Sequence, residues 1–292
     1  MALITANRFN TLRQSVDNVL GNGAGDTGYG QTLTSAAINV GDIINASHIN
    51  AVYEDLRKCY KHQNGGDPAT SLIQAVTQGD LVKDNDGVNY TGWDQYEALA
   101  SDVSTNRLTV AGTQQTIATA MTRSRGSWNG TIVQVSDVSF ASADARRHFF
   151  NQGGFIRILA STSDGSSLGS SWQNMFNTNA GNVDLKAHST TRSGSGGSVS
   201  GALGNYELSG AYQYIYQNFD AGGGAYSAND YYIEAYAASD SLIKIRQTWR
   251  DEKGGNPDEN VGDLTATIQA ATAITDVIGT APGVSSGSGT TL

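Results

Sequence analysis

A chain of 292 residues with a net charge of −9 and only 15% charged residues does not suit nucleic acid, because phosphate binding needs clustered Lys and Arg. A single cysteine excludes an internal disulfide framework, and no run of about 18 apolar residues could span a bilayer, so no membrane partner is expected. The 35 Gly and the plentiful Ser, Thr, Asn and Tyr suit a β-rich protein whose low-charge surface favours lateral assembly. No basic-plus-apolar leader opens the sequence, so folding in a cytoplasm, without oxidation, is expected.

Residues 4–20 predict an amphipathic helix. Thr5 can cap it, and Phe9, Leu12, Val16, Val19 and Leu20 recur on one face of a 3.6-residue period. Gly21 suits a left-handed cap. Forty residues on, "INASHINAVYEDL" repeats "ITANRFNTLRQSV". Ile4 aligns with Ile44, Ala6 with Ala46 and Asn10 with Asn50. Phe9 aligns with Ile49, Leu12 with Val52, Val16 with Leu56, Val19 with Cys59 and Leu20 with Tyr60. Asn45 caps the second helix, and "NGGDP" at 64–68 stops it. The two copies are expected to pack as a hairpin along one seam of Phe9, Leu12, Val16, Ile49, Val52 and Leu56. That candidate assembly seam is made either within the chain or on a neighbouring subunit.

Between the copies, "GNGAGDTGYGQTLTS" (21–35) lacks the Lys and the preceding strand of a phosphate-binding loop. It reads as a long flexible connection. Residues 91–103 predict a third helix with Trp93, Tyr96, Leu99 and Val103 on one face. "DNDG" at 84–87 reads as a polar turn, since Val88 offers no side-chain oxygen to a calcium ion.

From about residue 105 the pattern becomes β-like. "TIVQVSDVSF" (131–140) alternates as a strand, Ser142 caps a short helix through "ADARRHFFN", and "FIRILAS" (155–161) is a second strand. "YELSGAYQYIYQNF" (206–219) places Tyr206, Leu208, Tyr212, Tyr214 and Tyr216 on one face. "YYIEAYAASDSLIKIRQTWRDE" reads as a hairpin turning at "ASDS", and 263–274 supplies another strand. The final residues have little to bury, which predicts a flexible tail or an arm ordered by a neighbour.

Candidate chemistry is sparse. Cys59 and His62 share a helix face, but zinc needs further ligands and none appear at ligand spacing. The pair reads as a core Cys beside a surface His. Arg146, Arg147 and His148 read as a solvated or interface face rather than an anion site. Asp230, Glu234, Asp240, Asp251, Glu252, Asp258 and Glu259 cluster near turns, where a sequence cannot show the convergence that glycoside hydrolysis needs. The Tyr-rich sheet could hold a sugar, or form a core or subunit interface.

The repeat, the Gly loop, "ADARRHFFNQGGFIRI" and "YSANDYYIEA" together resemble a group of virion structural proteins from tailed phages of marine cyanobacteria. The resemblance covers most of the chain and weakens after residue 275. It implies a particle component and carries over no catalytic residue.

The expected fold is α+β: a helical attachment segment at 1–105, an antiparallel β-sandwich-like body at 106–278 and a flexible tail at 279–292. The expected function is that of a structural subunit of the virion tail, neck or fibre-attachment region, assembled in the host cytoplasm. Its partners are other virion proteins and further copies of itself. No catalytic residue, metal or cofactor is expected. A carbohydrate-binding receptor module of a tail fibre and a host-envelope hydrolase are the alternatives.

Overall fold

The computed structural model describes residues 4–80, 82–85, 90–252 and 259–292. The fold is α+β, and the chain divides into two compact units. A mainly helical unit comprises Met1–Thr116, Arg147–Gly153 and Thr272–Thr280; a mainly β unit comprises Ile117–Arg146, Gly154–Ala271 and Ala281–Leu292. The single boundary expected near residue 105 is therefore replaced by interleaved segments. The cause lies in long-range burial: Ala273 and Val277, far along the chain, join the apolar core of the helical unit.

In the helical unit, α1 (Ala6–Leu20), α2 (Ala46–Asn64) and α3 (Trp93–Thr105) start as the sequence predicts. Thr5 Oγ1 accepts the Arg8 N–H, and Asn45 Oδ1 accepts those of Ser47 and His48. Gly65 ends α2 with φ +88°, whereas Gly21 ends α1 at φ −78°, outside the left-handed region. Phe9, Leu12, Val16, Ile49, Val52 and Leu56 are all at most 4% exposed and share one cluster with Trp93, Tyr96 and Val103 of α3. Trp93 stacks on Phe9 at 5.8 Å between centroids. This seam is closed within the unit, so its side chains are not presented to a neighbour.

The repeat extends beyond the helices. Asn10 Nδ2 donates to the Ile38 carbonyl (2.8 Å), and its Oδ1 accepts the Ile38 N–H (3.0 Å). Asn50 makes the same pair with Val76, at 2.9 and 2.8 Å. Each Asn thus satisfies both backbone groups of a returning loop and presses its apolar side chain into the core. Arg8 ties α1 to α3 by hydrogen bonds to Asp94 and Glu97, and it also donates to Asp84 in the preceding loop. The "DNDG" turn itself falls partly outside the described residues, since 86–89 are not among them.

The Gly-rich stretch is a packed structure and not a mere connection. The N–H groups of Tyr29, Gly30 and Gln31 donate to the carbonyls of Val19, Gly21 and Leu20, folding the loop onto the end of α1. Tyr29 is fully buried, its hydroxyl donating to the Arg107 carbonyl. Gly30 sits at φ +70°, where a Cβ would lie 2.3 Å from the His148 ring, so only glycine fits. The Arg147 guanidinium donates to the carbonyls of Asn22 and Thr27. The Asn151 amide donates to those of Gly25, Thr27 and Gly28, and the Gln152 amide to that of Tyr29.

In the β unit, the described strands are β1 (Gln115–Arg125), β2 (Thr131–Ser139), β3 (Phe155–Thr162), β4 (Val183–Leu185), β5 (Thr190–Arg192) and β6 (Ser198–Val199). β7 (Gln213–Asn218), β8 (Asp230–Ser239), β9 (Leu242–Arg250), β10 (Leu264–Ala273) and β11 (Gly283–Ser286) follow. They form a five-stranded sheet ordered β1-β10-β3-β4-β5 and a six-stranded sheet ordered β11-β2-β9-β8-β7-β6. β3 runs antiparallel to β10 and β4, and β4 to β5; in the six-stranded sheet every neighbouring pair of strands is antiparallel, and the arrangement is sandwich-like. The short helix α4 (Ala143–Asn151) separates β2 from β3, as expected, and α5 (Ser167–Gln173) follows β3.

Ile156 and Ile158 of β3, with Leu264, Ala266 and Ile268 of β10, are fully buried, as are Ile243 and Ile245 of β9. Gln247 bridges the layers by donating to the Leu159 carbonyl (3.0 Å). Trp128, Trp172, Phe176, Tyr231 and Trp249 form a chain of ring contacts in the core, with successive centroids 5.0 to 5.8 Å apart.

Two expectations for this unit fail. The predicted single Tyr face of 206–219 does not form: Tyr206 lies in a helical turn, and the register of β7 shifts between Tyr214 and Tyr216. The extra residue turns Tyr216 inward while Tyr214 stays outward. The C-terminal residues are not a free tail, because β11 pairs with β2 from Gly283 to Ser286. Beyond it, Gly287 N–H donates to the Val135 carbonyl, and the Thr290 and Thr291 hydroxyls accept the N–H groups of Val135 and Val133. The stretch needs few apolar side chains because its backbone and hydroxyls are satisfied by the open edge of β2.

Candidate functional site

The residues singled out for chemistry scatter or are consumed by structure. Cys59 is buried, and burial raises its thiol pKa, so it stays protonated. His62 is buried too, not at the surface: its Nε2 donates to the Gln152 carbonyl (3.0 Å) and its ring meets Tyr29 edge-on. Burial lowers its pKa to about 4. Arg146 is buried rather than solvated, donating to Asn205 and to the Ser239 carbonyl, while Arg147 and His148 hold the carbonyl of Asn22. Among the described residues, no group of three or more His, Cys, Asp or Glu could hold a metal ion.

What the fold does assemble is the outward face of the six-stranded sheet. Alternation along each strand puts Tyr232, Glu234 and Tyr236 of β8 on the opposite side from Tyr231, Ile233 and Ala235. Register then builds rows across the strands. Val135, Arg246, Glu234 and Tyr214 lie side by side; Asp137, Lys244 and Tyr236 form the row on one side, and Thr248, Tyr232 and Gln217 the row on the other. The bulge in β7 keeps Tyr214 in its row.

Aromatic rings and ion pairs interlock on this face. Tyr214, Phe219 and Tyr232 meet one another edge to face, with centroids 5.3 to 5.7 Å apart. Tyr212 packs against Tyr236 at 4.5 Å, and the Arg246 guanidinium lies 4.0 Å above the Tyr212 ring. Arg246 Nε and Nη both close on Glu234 Oε2 at 2.7 Å. Arg250 pairs with Asp230 (2.9 Å), and Lys244 with Asp137 (2.9 Å). Burial raises the Asp230 carboxyl pKa above its ordinary value.

Of the seven acids considered for glycoside cleavage, Asp230 and Glu234 share this face, and Asp258 lies outside the described residues. Four residues of strand set Asp230 and Glu234 about 13 Å apart along the backbone. A retaining pair needs carboxyls about 5 Å apart and an inverting pair about 6.5–9.5 Å. Each is also bound to its own Arg, an arrangement that suits holding a surface in shape more than moving protons.

A second surface is β1, an edge strand of the five-stranded sheet. From Ile117 to Thr122 it carries neither charge nor Pro, and most of its residues are exposed. Ile117 is 42% exposed. Folded monomers generally blunt such edges with Lys, Pro or a bulge. Sequence reasoning missed β1 because Thr119 interrupts Ile117 and Met121 on one side and the other carries only Ala118, Ala120 and Thr122, so no strong alternation marks the strand.

No family model matches this chain, and no curated protein or solved structure matches it significantly.

Proposed function

We propose that this chain is a structural subunit of a tailed-phage virion, in the tail, neck or fibre-attachment region, working by non-covalent assembly. The sequence resemblance supplies the particle, and the open edge of β1 is the observation that carries assembly. A strand of this length at the edge of its sheet, with no further strand beside it among the described residues, is a template for another chain to extend the sheet. The partner is a strand of a neighbouring virion protein or of a further copy.

Mass spectrometry and cryo-EM of purified particles carrying a tagged chain test this. A fixed copy number that matches a particle symmetry is the expected result. A chain abundant in infected cells yet missing from purified particles overturns it. Cleavage of peptidoglycan or lipopolysaccharide that one carboxylate substitution abolishes overturns the non-enzymatic reading.

A further inference from the structure

We propose that the outward face of β7, β8 and β9 binds a neutral, pyranose-based glycan. Tyr214 and Phe219 would stack on the sugar, and Glu234, held by Arg246, would accept from its hydroxyls. The inference stands on this face alone and does not depend on membership of a particle.

A pyranose offers an apolar C–H face and a rim of hydroxyls, so its binding site combines exposed rings with fixed polar groups. Tyr214 and Phe219 are 43% and 42% exposed. Their edge-to-face contacts with Tyr232 fix the ring tilts before any ligand arrives, which lowers the ordering cost of binding. Glu234 lies directly across the strand pair from Tyr214. Arg246 occupies only its Oε2, and Oε1 has no hydrogen-bond partner among the described residues.

Charge decides the class of glycan. Asp137 with Lys244, Glu234 with Arg246 and Asp230 with Arg250 cancel in pairs. Among the described residues no surplus cation is left on these rows for a uronate or a sulfate, so the complementary ligand is uncharged. Size argues against a protein. Among the described residues, Tyr214 and Phe219 are the only strongly exposed large apolar side chains on the face, whereas a stable protein interface buries about 800 Å² on each partner.

The test is titration of the full chain with neutral gluco-, manno- and galacto-hexaoses at millimolar concentration, with an oligouronate for comparison. One of the neutral oligosaccharides is expected to bind. Tyr214→Ala and Phe219→Ala are each expected to weaken it about tenfold or more with unchanged melting. Tyr214→Phe, which keeps the ring, should retain binding, and Glu234→Gln should weaken it. No binding of any neutral hexaose, preference for the oligouronate, or affinity that survives the Tyr214→Ala/Phe219→Ala double substitution overturns the proposal. Absence of the chain from purified particles, with glycan binding intact, would strike at the assembly reading and not at this one.

Discussion

Asn50 holds Val76 by the same two hydrogen bonds with which Asn10 holds Ile38, so the sequence repeat encodes a clamp as well as a helix. Both clamped residues are buried in the shared core. The repeated unit is a cap, an apolar helix face and an amide that locks the loop returning over it.

Replacing either Asn by Ala leaves a carbonyl and an N–H unsatisfied in a partly buried place. Asn10→Ala and Asn50→Ala are each expected to cost about 1–3 kcal/mol, the scale of an orphaned polar group. Exposed Asn18→Ala should cost less than about 0.5 kcal/mol. Urea denaturation of the three variants checks this, and equal curves for Asn50→Ala and Asn18→Ala would refute the clamp.

The seam is closed internally, so its truncation should be felt by the free chain. Leu12→Ala and Leu56→Ala are expected to lose about 2–5 kcal/mol each. Calorimetry on the isolated protein decides the matter. Unchanged melting with failed particle incorporation would instead mean that the seam is completed by a neighbour.

His62 gives the fold a pH dependence of known sign. Its pKa falls from an ordinary 6.5 to about 4 because burial penalises the imidazolium. The unfolded chain therefore binds the proton first as pH drops. The stabilisation is complete above pH 6.5, and it is lost progressively down to about pH 4, for a total on the order of 3 kcal/mol. In His62→Gln the loss across this window should shrink by that amount. Parallel stability curves for the two proteins would show that His62 does not titrate on unfolding.

Two glycines in one loop separate backbone strain from steric contact. Gly25 has φ +57° with nothing near a built Cβ, whereas Gly30 has φ +70° and the His148 ring against it. Gly25→Ala should cost about 1–2 kcal/mol from the left-handed backbone alone. Gly30→Ala should cost more, and chemical denaturation of both variants tests the order.

The β1 edge can be closed with one charge. Ile117→Lys, at an exposed position, is expected to abolish higher-order association while leaving melting within about 0.5 kcal/mol of the parent. Sedimentation of concentrated protein, with incorporation into particles as a second readout, measures this. Association that persists in the variant would remove β1 from the interface.

Features set by neighbours three or four residues away were legible in the amino-acid order. These include the three N-terminal helices, the caps at Thr5 and Asn45, the turn between β8 and β9, and the alternation of β2 and β10. Periodicity and capping are local, so a short window carries the whole signal. The remainder depends on partners far along the chain. His62 looked superficial until Tyr29 and residues 148–152 were folded over it. Arg146 and Arg147 looked solvated because the carbonyls they bind lie in other segments. Tyr214 and Tyr216 share a parity in sequence, and the register shift imposed by pairing with β8 sends them to opposite faces. The C-terminal residues lack apolar content and still form an edge, because β2 offers unpaired backbone groups that no local pattern announces. The aromatic and ion-pair face arises in the same way, since rows across a sheet are set by register between strands, and register is a property of the tertiary structure.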